Sequence, residues 1–140
     1  MVNCYSIHLA SRFIVSFMSE SSAEAIVVLI AAGSREEAVR LADLIVVARL
    51  AACVQVLPEI ESVYHWEGKV ERSAEILLFA KTTRSNFQAL EAAVRALHSY
   101  QIPEIVAFDI TAASAPYLEW LTSSVITQDK DAAHGSVPRA

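Results

Sequence analysis

Cysteine is nearly absent from this chain: Cys4 and Cys53 are the two in 140 residues. No disulfide framework and no multi-cysteine zinc site can be built from that spacing. A chain of this length buries roughly 68–70% of its unfolded surface and needs no covalent staples, and a reducing cytoplasm is the compartment that suits it. Charged residues are also few, at 19% against a usual share of about 25%, while apolar residues reach 54%. One small domain has little room for that excess, so part of it is expected at a subunit interface. Positive charge is scarcer still, with 11 Lys and Arg against 16 Asp and Glu and a net charge of -5. Nucleic acid is excluded as a partner, because phosphate binding needs clustered Lys and Arg; cations are the better-matched small partners. Apolar runs of about 18 residues are missing too, so neither a transmembrane helix nor a membrane partner is expected.

What the chain does contain falls into one domain, expected over 23–125. Met1 to Phe17 carries one basic residue, Arg12, and a short apolar patch, Phe13 to Val15, a poor match to a signal peptide. Residues 1–22 are therefore expected to be a poorly ordered leader, and the polar or small residues of 126–140 a disordered tail.

Ala25 to Ala32 is a continuous apolar run that predicts a buried strand. Ser34 with Glu37 three residues on is a capping-box signature, and Ala38, Leu41, Ala42 and Ile45 carry a helix over Arg35 to Leu50. Cys53 to Trp66 predicts one long strand, bent at Pro58, where a bulge or a sheet edge is expected. Glu67, Gly68 and Lys69 supply the turn of a long hairpin whose second arm runs through Ile76 to Ala80. Ser85, with Gln88, predicts the cap of a second helix with Phe87, Leu90, Val94 and Leu97 on one stripe, ending near His98. Ile105 to Ile110 predicts the last strand, and Pro116 to Leu121 a short C-terminal helix. The order β-α-β-β-α-β predicts an α+β, ferredoxin-like sandwich with both helices on one sheet face. The other face is apolar and needs a cover, for which a second copy of the chain is the economical candidate.

Three segments could carry chemistry. Cys53 stands between Ala52 and Val54, either as a small buried hydrophobe or as a thiolate metal ligand. Tyr64, His65, Trp66, Glu67 and Lys69 make the hairpin tip unusually aromatic, which suits an interface rim or a ligand pocket, or else cross-strand packing alone. His98 closes the second helix, where the helix dipole favours a histidine; the functional alternative makes it an imidazole ligand beside Tyr100, with Glu104 or Glu67 supplying a carboxylate.

Together these segments resemble the CutA divalent-cation tolerance family. The resemblance rests on Arg49-Leu50-Ala51-Ala52-Cys53-Val54, on Tyr64-His65-Trp66-Glu67-Gly68-Lys69 followed by Lys81-Thr82, on Leu97-His98-Ser99-Tyr100-Gln101-Ile102-Pro103-Glu104-Ile105, and on Tyr117-Leu118-Glu119-Trp120. It implies a compact homotrimer joined through sheet edges and hairpins, acting in divalent-metal tolerance and binding Cu(II) or another divalent metal ion with no organic cofactor. On that reading His98, Cys53 and Glu67 are the metal candidates, and Tyr64, His65, Trp66, Lys69, Lys81, Tyr100 and Glu104 the other ligand-binding candidates. The family usually has Pro and Glu where this chain has Ser99 and Gln101, and a variable residue at His65; losing a carboxylate and gaining an imidazole would favour softer metals.

The alternative function is a PII-like trimeric signalling module, binding a small anionic ligand or a partner protein in inter-subunit clefts, with Lys69, Lys81 and Arg84 meeting the anion. An acylphosphatase-like hydrolase is disfavoured, since Ala31-Ala32-Gly33-Ser34 is not a glycine-rich anion loop, and no enzyme activity is expected. An RNA-recognition module lacks its stacking aromatics and basic surface.

Overall fold

The computed structural model describes residues 24–127. The expected leader over 1–22, and the expected tail apart from its first two residues, lie outside the described residues. The elements are β1 (Ala25–Ala32), α1 (Arg35–Val47), β2 (Cys53–Val56), β3 (Ile60–Trp66), β4 (Lys69–Thr83), α2 (Phe87–Leu97), β5 (Ile105–Asp109) and α3 (Ala115–Ser124). The strands form one antiparallel sheet in the order β2-β4-β1-β5, with β3 continuing along β4 beyond β2. This is the predicted α+β sandwich.

The predicted long strand is split at Pro58, and the register explains the split. Val56 pairs with Leu78 while Ile60 pairs with Glu75, so the step from 56 to 60 on one side meets the step from 78 to 75 on the other. One extra residue is accommodated as a bulge, on the edge strand where a proline costs no ladder bond. Beyond the bulge β3 and the first half of β4 form a hairpin arm. It closes at Glu67 and Gly68, both with positive φ (48° and 78°), the two-residue turn whose twist matches that of the flanking strands.

α1 starts where Ser34 Oγ accepts the Glu37 N–H at 3.1 Å, the first half of a capping box. The second half is diverted, because the Glu37 carboxylate accepts from the Gly33 N–H and from Ser99. The helix ends at Val47, earlier than its apolar spacing predicts, because Arg49 enters the left-handed region (φ 56°). The Leu50 N–H then reaches the Ile45 carbonyl and the Arg49 N–H the Val46 carbonyl, both at 2.9 Å, a Schellman stop normally made with glycine. A compensation is visible at the other end of the side chain, where Arg49 Nε and Nη2 donate to the Ser124 and Ser123 carbonyls at 3.0 and 2.9 Å. One arginine thus stops α1 and satisfies the last carbonyls of α3.

α2 differs from expectation at its start. Ser85 does not cap it; the Ser85 hydroxyl pairs with that of Thr83 at 3.1 Å within a 3-10 turn over Arg84–Asn86. Its C-terminus falls at His98, as predicted.

α1 and α2 cover one sheet face. Ile26, Val28, Ile30 and Leu78 pack there with Leu41, Ile45, Leu90 and Val94 in the main core. α3 crosses to the other face and covers only one end of it, with Leu118 and Leu121 against Ala25. The rest of that face carries two apolar cross-strand rows, Val27 beside Phe108, and Phe79 beside Leu29 and Val106. Phe108 is 52% exposed and Val106 42%.

Candidate functional site

Below the hairpin arm, the loop after α2 folds back against the end of β1 and leaves a cavity of about 630 Å³. Side-chain alternation along β3 turns Tyr64 and Trp66 toward it. Glu75 lines it from β4, and Tyr100, Gln101 and Glu104 from the loop. Glu75 is 8% exposed. The Tyr100 ring rests on Gly33, where a Cβ would come within 2.9 Å of the phenol oxygen, so the close approach requires glycine. Burial, then the hydrogen bond and charge of Glu75, push the Tyr100 phenol up to about 12.

Behind Tyr100 lies a buried polar network that fixes the loop. His98 Nε2 sits 2.8 Å from the Ala31 carbonyl; a carbonyl only accepts, so Nε2 carries the proton. His98 Nδ1 accepts the Tyr100 N–H at 3.0 Å. Glu37 Oε1 accepts the Ser99 N–H at 2.6 Å, and Oε2 accepts the Ser99 hydroxyl at 3.1 Å and the Gly33 N–H at 3.0 Å. Burial works to raise the Glu37 carboxyl, but the hydrogen bonds from Ser99 and Gly33, and the nearby His98, together hold it below the usual carboxylate range.

On the open sheet face, Cys53 Sγ lies 3.8 Å from the Tyr117 hydroxyl of α3. Burial, followed by the hydrogen bond and charge of Cys53, raises the Tyr117 phenol above its ordinary value. Lys81, beside Cys53 in the cross-strand register, is hydrogen-bonded to Gln55 Oε1.

The candidates therefore separate. Tyr64, Trp66, Tyr100 and Glu104 come together around the cavity. His65 faces away from the cavity, Glu67 and Lys69 sit at the turn, and Lys81 lies on the open sheet face. Within one chain His98, Cys53 and Glu67 do not meet, and no group of three or more His, Cys, Asp or Glu that could hold a metal forms among the described residues. Both His98 nitrogens are committed to backbone partners, so a metal there would have to displace one of them. The basic set does not converge either, because Lys81 is bound to Gln55 and Arg84 pairs with Asp109.

Residues 26–124 match the family model described as CutA1 divalent ion tolerance protein. The chain belongs to that family. It is 48% identical over 109 residues to the chloroplastic protein CutA of Arabidopsis thaliana, covering 76% of this chain and 60% of the relative. With the divalent-cation tolerance protein CutA of Thermus thermophilus it shares 46% identity over 95 residues, 68% of this chain and 92% of that one. The crystal structure of CutA1 from Oryza sativa superposes with a TM-score of 0.74 at 44% identity, covering 77% of this chain and 99% of that chain. The match spans only about three-fifths of the Arabidopsis relative's length.

The CutA-like motifs acquire physical roles here. Arg49 caps α3, Leu50 completes the Schellman stop, Cys53 meets Tyr117, and His98 holds Tyr100 in place. Ser99, where the CutA pattern usually has proline, supplies the N–H that Glu37 accepts. Gln101 lines the cavity while His65 does not, so these two departures do not act at one site. Glu75 escaped the sequence reading; the signal was a lone carboxylate inside the apolar run from Ala74 to Ala80.

Proposed function

We propose that this CutA1-family chain acts as a homotrimeric divalent-cation tolerance protein of the cytoplasm, which binds divalent metal ions, Cu(II) among them, and works by binding rather than catalysis. The observation that carries the reading is the apolar face left open beside α3, where Phe108 is 52% exposed and Val106 42%. Surface of that kind marks an interaction site, and the family resemblance supplies three copies of the same chain as its cover. The names of the relatives support the metal role, since those of Thermus and Citrobacter koseri are called divalent-cation tolerance proteins. The cytoplasmic assignment is consistent with a free Cys53; the Arabidopsis relative is named chloroplastic and the Archaeoglobus fulgidus one periplasmic.

The donors among the described residues of one chain do not gather into a metal site. Among the described residues, Cys53 on the open face and His65 at the hairpin are soft donors not tied to backbone, and both lie on surfaces that assembly would bring against a neighbour. Calorimetry of tagless protein with Cu(II) tests this. Saturable binding that is lost in Cys53→Ser or in His65→Asn, and retained in His98→Gln, is the expected result. Absence of any saturable heat, or binding that depends on His98 alone, would overturn it.

An anion-binding PII-like reading draws no support from the geometry, because the basic side chains that it needs are dispersed.

A further inference from the structure

The open sheet face carries a positive charge that its own chain does not neutralise. Lys81 projects from β4, an inner strand, between Val27 of β1 and Cys53 of β2 in the cross-strand register, with Phe79 two residues before it on the same face. Already half-buried in a single chain, it is the cationic side chain of that face among the described residues. An ammonium has three hydrogens to donate, and Gln55 Oε1, a neutral acceptor, takes one of them. The ion pairs of the described residues are Arg72 with Glu61, Arg84 with Asp109, Arg95 with Glu91 and His98 with Glu37, so none of their carboxylates reaches Lys81. We propose that Lys81 is met by a carboxylate of the neighbouring copy, and that this ion pair sets the register in which the copies dock; the proposal rests on the homotrimer reading and names the side chain that gives it direction.

A cover over this face takes water away from the ammonium, and one neutral amide does not offset that loss. A well-placed carboxylate does so far better. The chain has acid to spare, with 16 Asp and Glu against 11 Lys and Arg. Glu59, Glu71, Glu104 and Glu119 are exposed and form no ion pair among the described residues. Contact between the apolar side chains around Lys81 is non-directional and permits many ways of docking. A single charge among them penalises every register that leaves it facing apolar surface, which is how charge confers specificity. In a closed ring of three, each copy offers Lys81 to one neighbour and a carboxylate to the other, so all three pairs form at once.

Carbodiimide cross-linking of the full-length protein tests this, because the reagent joins an ammonium and a carboxylate in contact as an amide. Lys69, Lys81 and Lys130 are the lysines of the chain, so the linked lysine is identified directly from the peptide masses. Chains labelled with ¹⁴N and with ¹⁵N are unfolded together, refolded, cross-linked and digested. The expected product joins Lys81 to an acidic peptide with mixed labels, which mark two different copies. That product is read on the unsubstituted chain and does not depend on a variant folding. In light scattering on serial dilution, Lys81→Met should dissociate at a concentration about thirtyfold higher than wild type or more, the loss expected when a buried charge is left without its partner. Lys81→Arg, which keeps the charge, should stay within about threefold. A protein of three-chain mass in which Lys81 forms no link, or links only within its own chain, overturns the inference and leaves the trimer reading standing. So does a Lys81→Met protein that assembles as tightly as wild type. A single-chain mass for the unsubstituted protein overturns both.

Discussion

On the helix-bearing face of the sheet Ile26, Val28, Ile30 and Leu78 lose essentially all contact with solvent, whereas one step along β1 Val27 and Leu29 are half-buried, and their β5 neighbours Phe108 and Val106 stay open. Both faces are built from aliphatic and aromatic side chains, and in β1 they come from a single uninterrupted run. The difference therefore lies in what covers each face. Two helices of the same chain cover the first, and a short α3 covers one corner of the second. A face this apolar, which no other described residue covers, is what a neighbouring copy of the chain would bury, and that is the physical content of the trimer proposal.

Substitutions that treat the faces differently sharpen the comparison. The largest effect is expected on the covered face: Leu78→Ala leaves a cavity among fully buried neighbours and should cost about 3 kcal/mol in urea melts. Next comes the polar network behind the cleft, where Glu37→Gln gives up charge-assisted hydrogen bonds from Ser99 and Gly33 and should cost about 2 kcal/mol near neutral pH. The sign of its pH dependence follows from the lowered carboxyl. A depressed folded value gives stabilisation that is complete above the unfolded carboxyl's ordinary value and is lost as pH falls through the folded one. Wild type should thus lose its advantage over Glu37→Gln on acidification, and a constant difference from pH 7 down to pH 3 would contradict the network.

Arg49→Ala should cost about 1 kcal/mol, since it removes the bonds to the Ser123 and Ser124 carbonyls and keeps a side chain in the left-handed region. Arg49→Gly relieves the second problem and should cost less, so thermal melts of the pair separate helix stop from helix cap. Smallest of all is Phe108→Ser on the open face. When chains are kept apart by dilution its effect on folding should stay within about 0.5 kcal/mol, while at higher concentration it should weaken association, read by sedimentation velocity.

Most of the fold was legible because its signals are local. The apolar run of β1, the Ser34 cap, the Pro58 bulge and the Glu67-Gly68 turn each follow from neighbouring residues. The same locality explains the errors. Ser85 looks like a cap in a short window, but Thr83, on the strand just before it, takes its hydroxyl. The helix after Ser34 was read to Leu50 because Arg49 gives no hint, in sequence, that it will turn left-handed to reach carbonyls at 123 and 124. Half of the site was legible for a related reason. Tyr64, Trp66, Tyr100 and Glu104 belong to conspicuous aromatic or polar segments, whereas Glu75 joins them only through the register that sets it opposite Ile60. At His98 the sequence does not display its two partners, the Ala31 carbonyl and the Tyr100 N–H, because both are backbone groups.

The solution mass by light scattering at micromolar concentration tests the central claim most directly. If the open face is covered by other copies, the particle should weigh three times the 15.3 kDa chain, and Phe108→Asp should bring the mass down toward that of one chain. A monodisperse, soluble single chain from the unsubstituted protein at the same concentration would contradict the account.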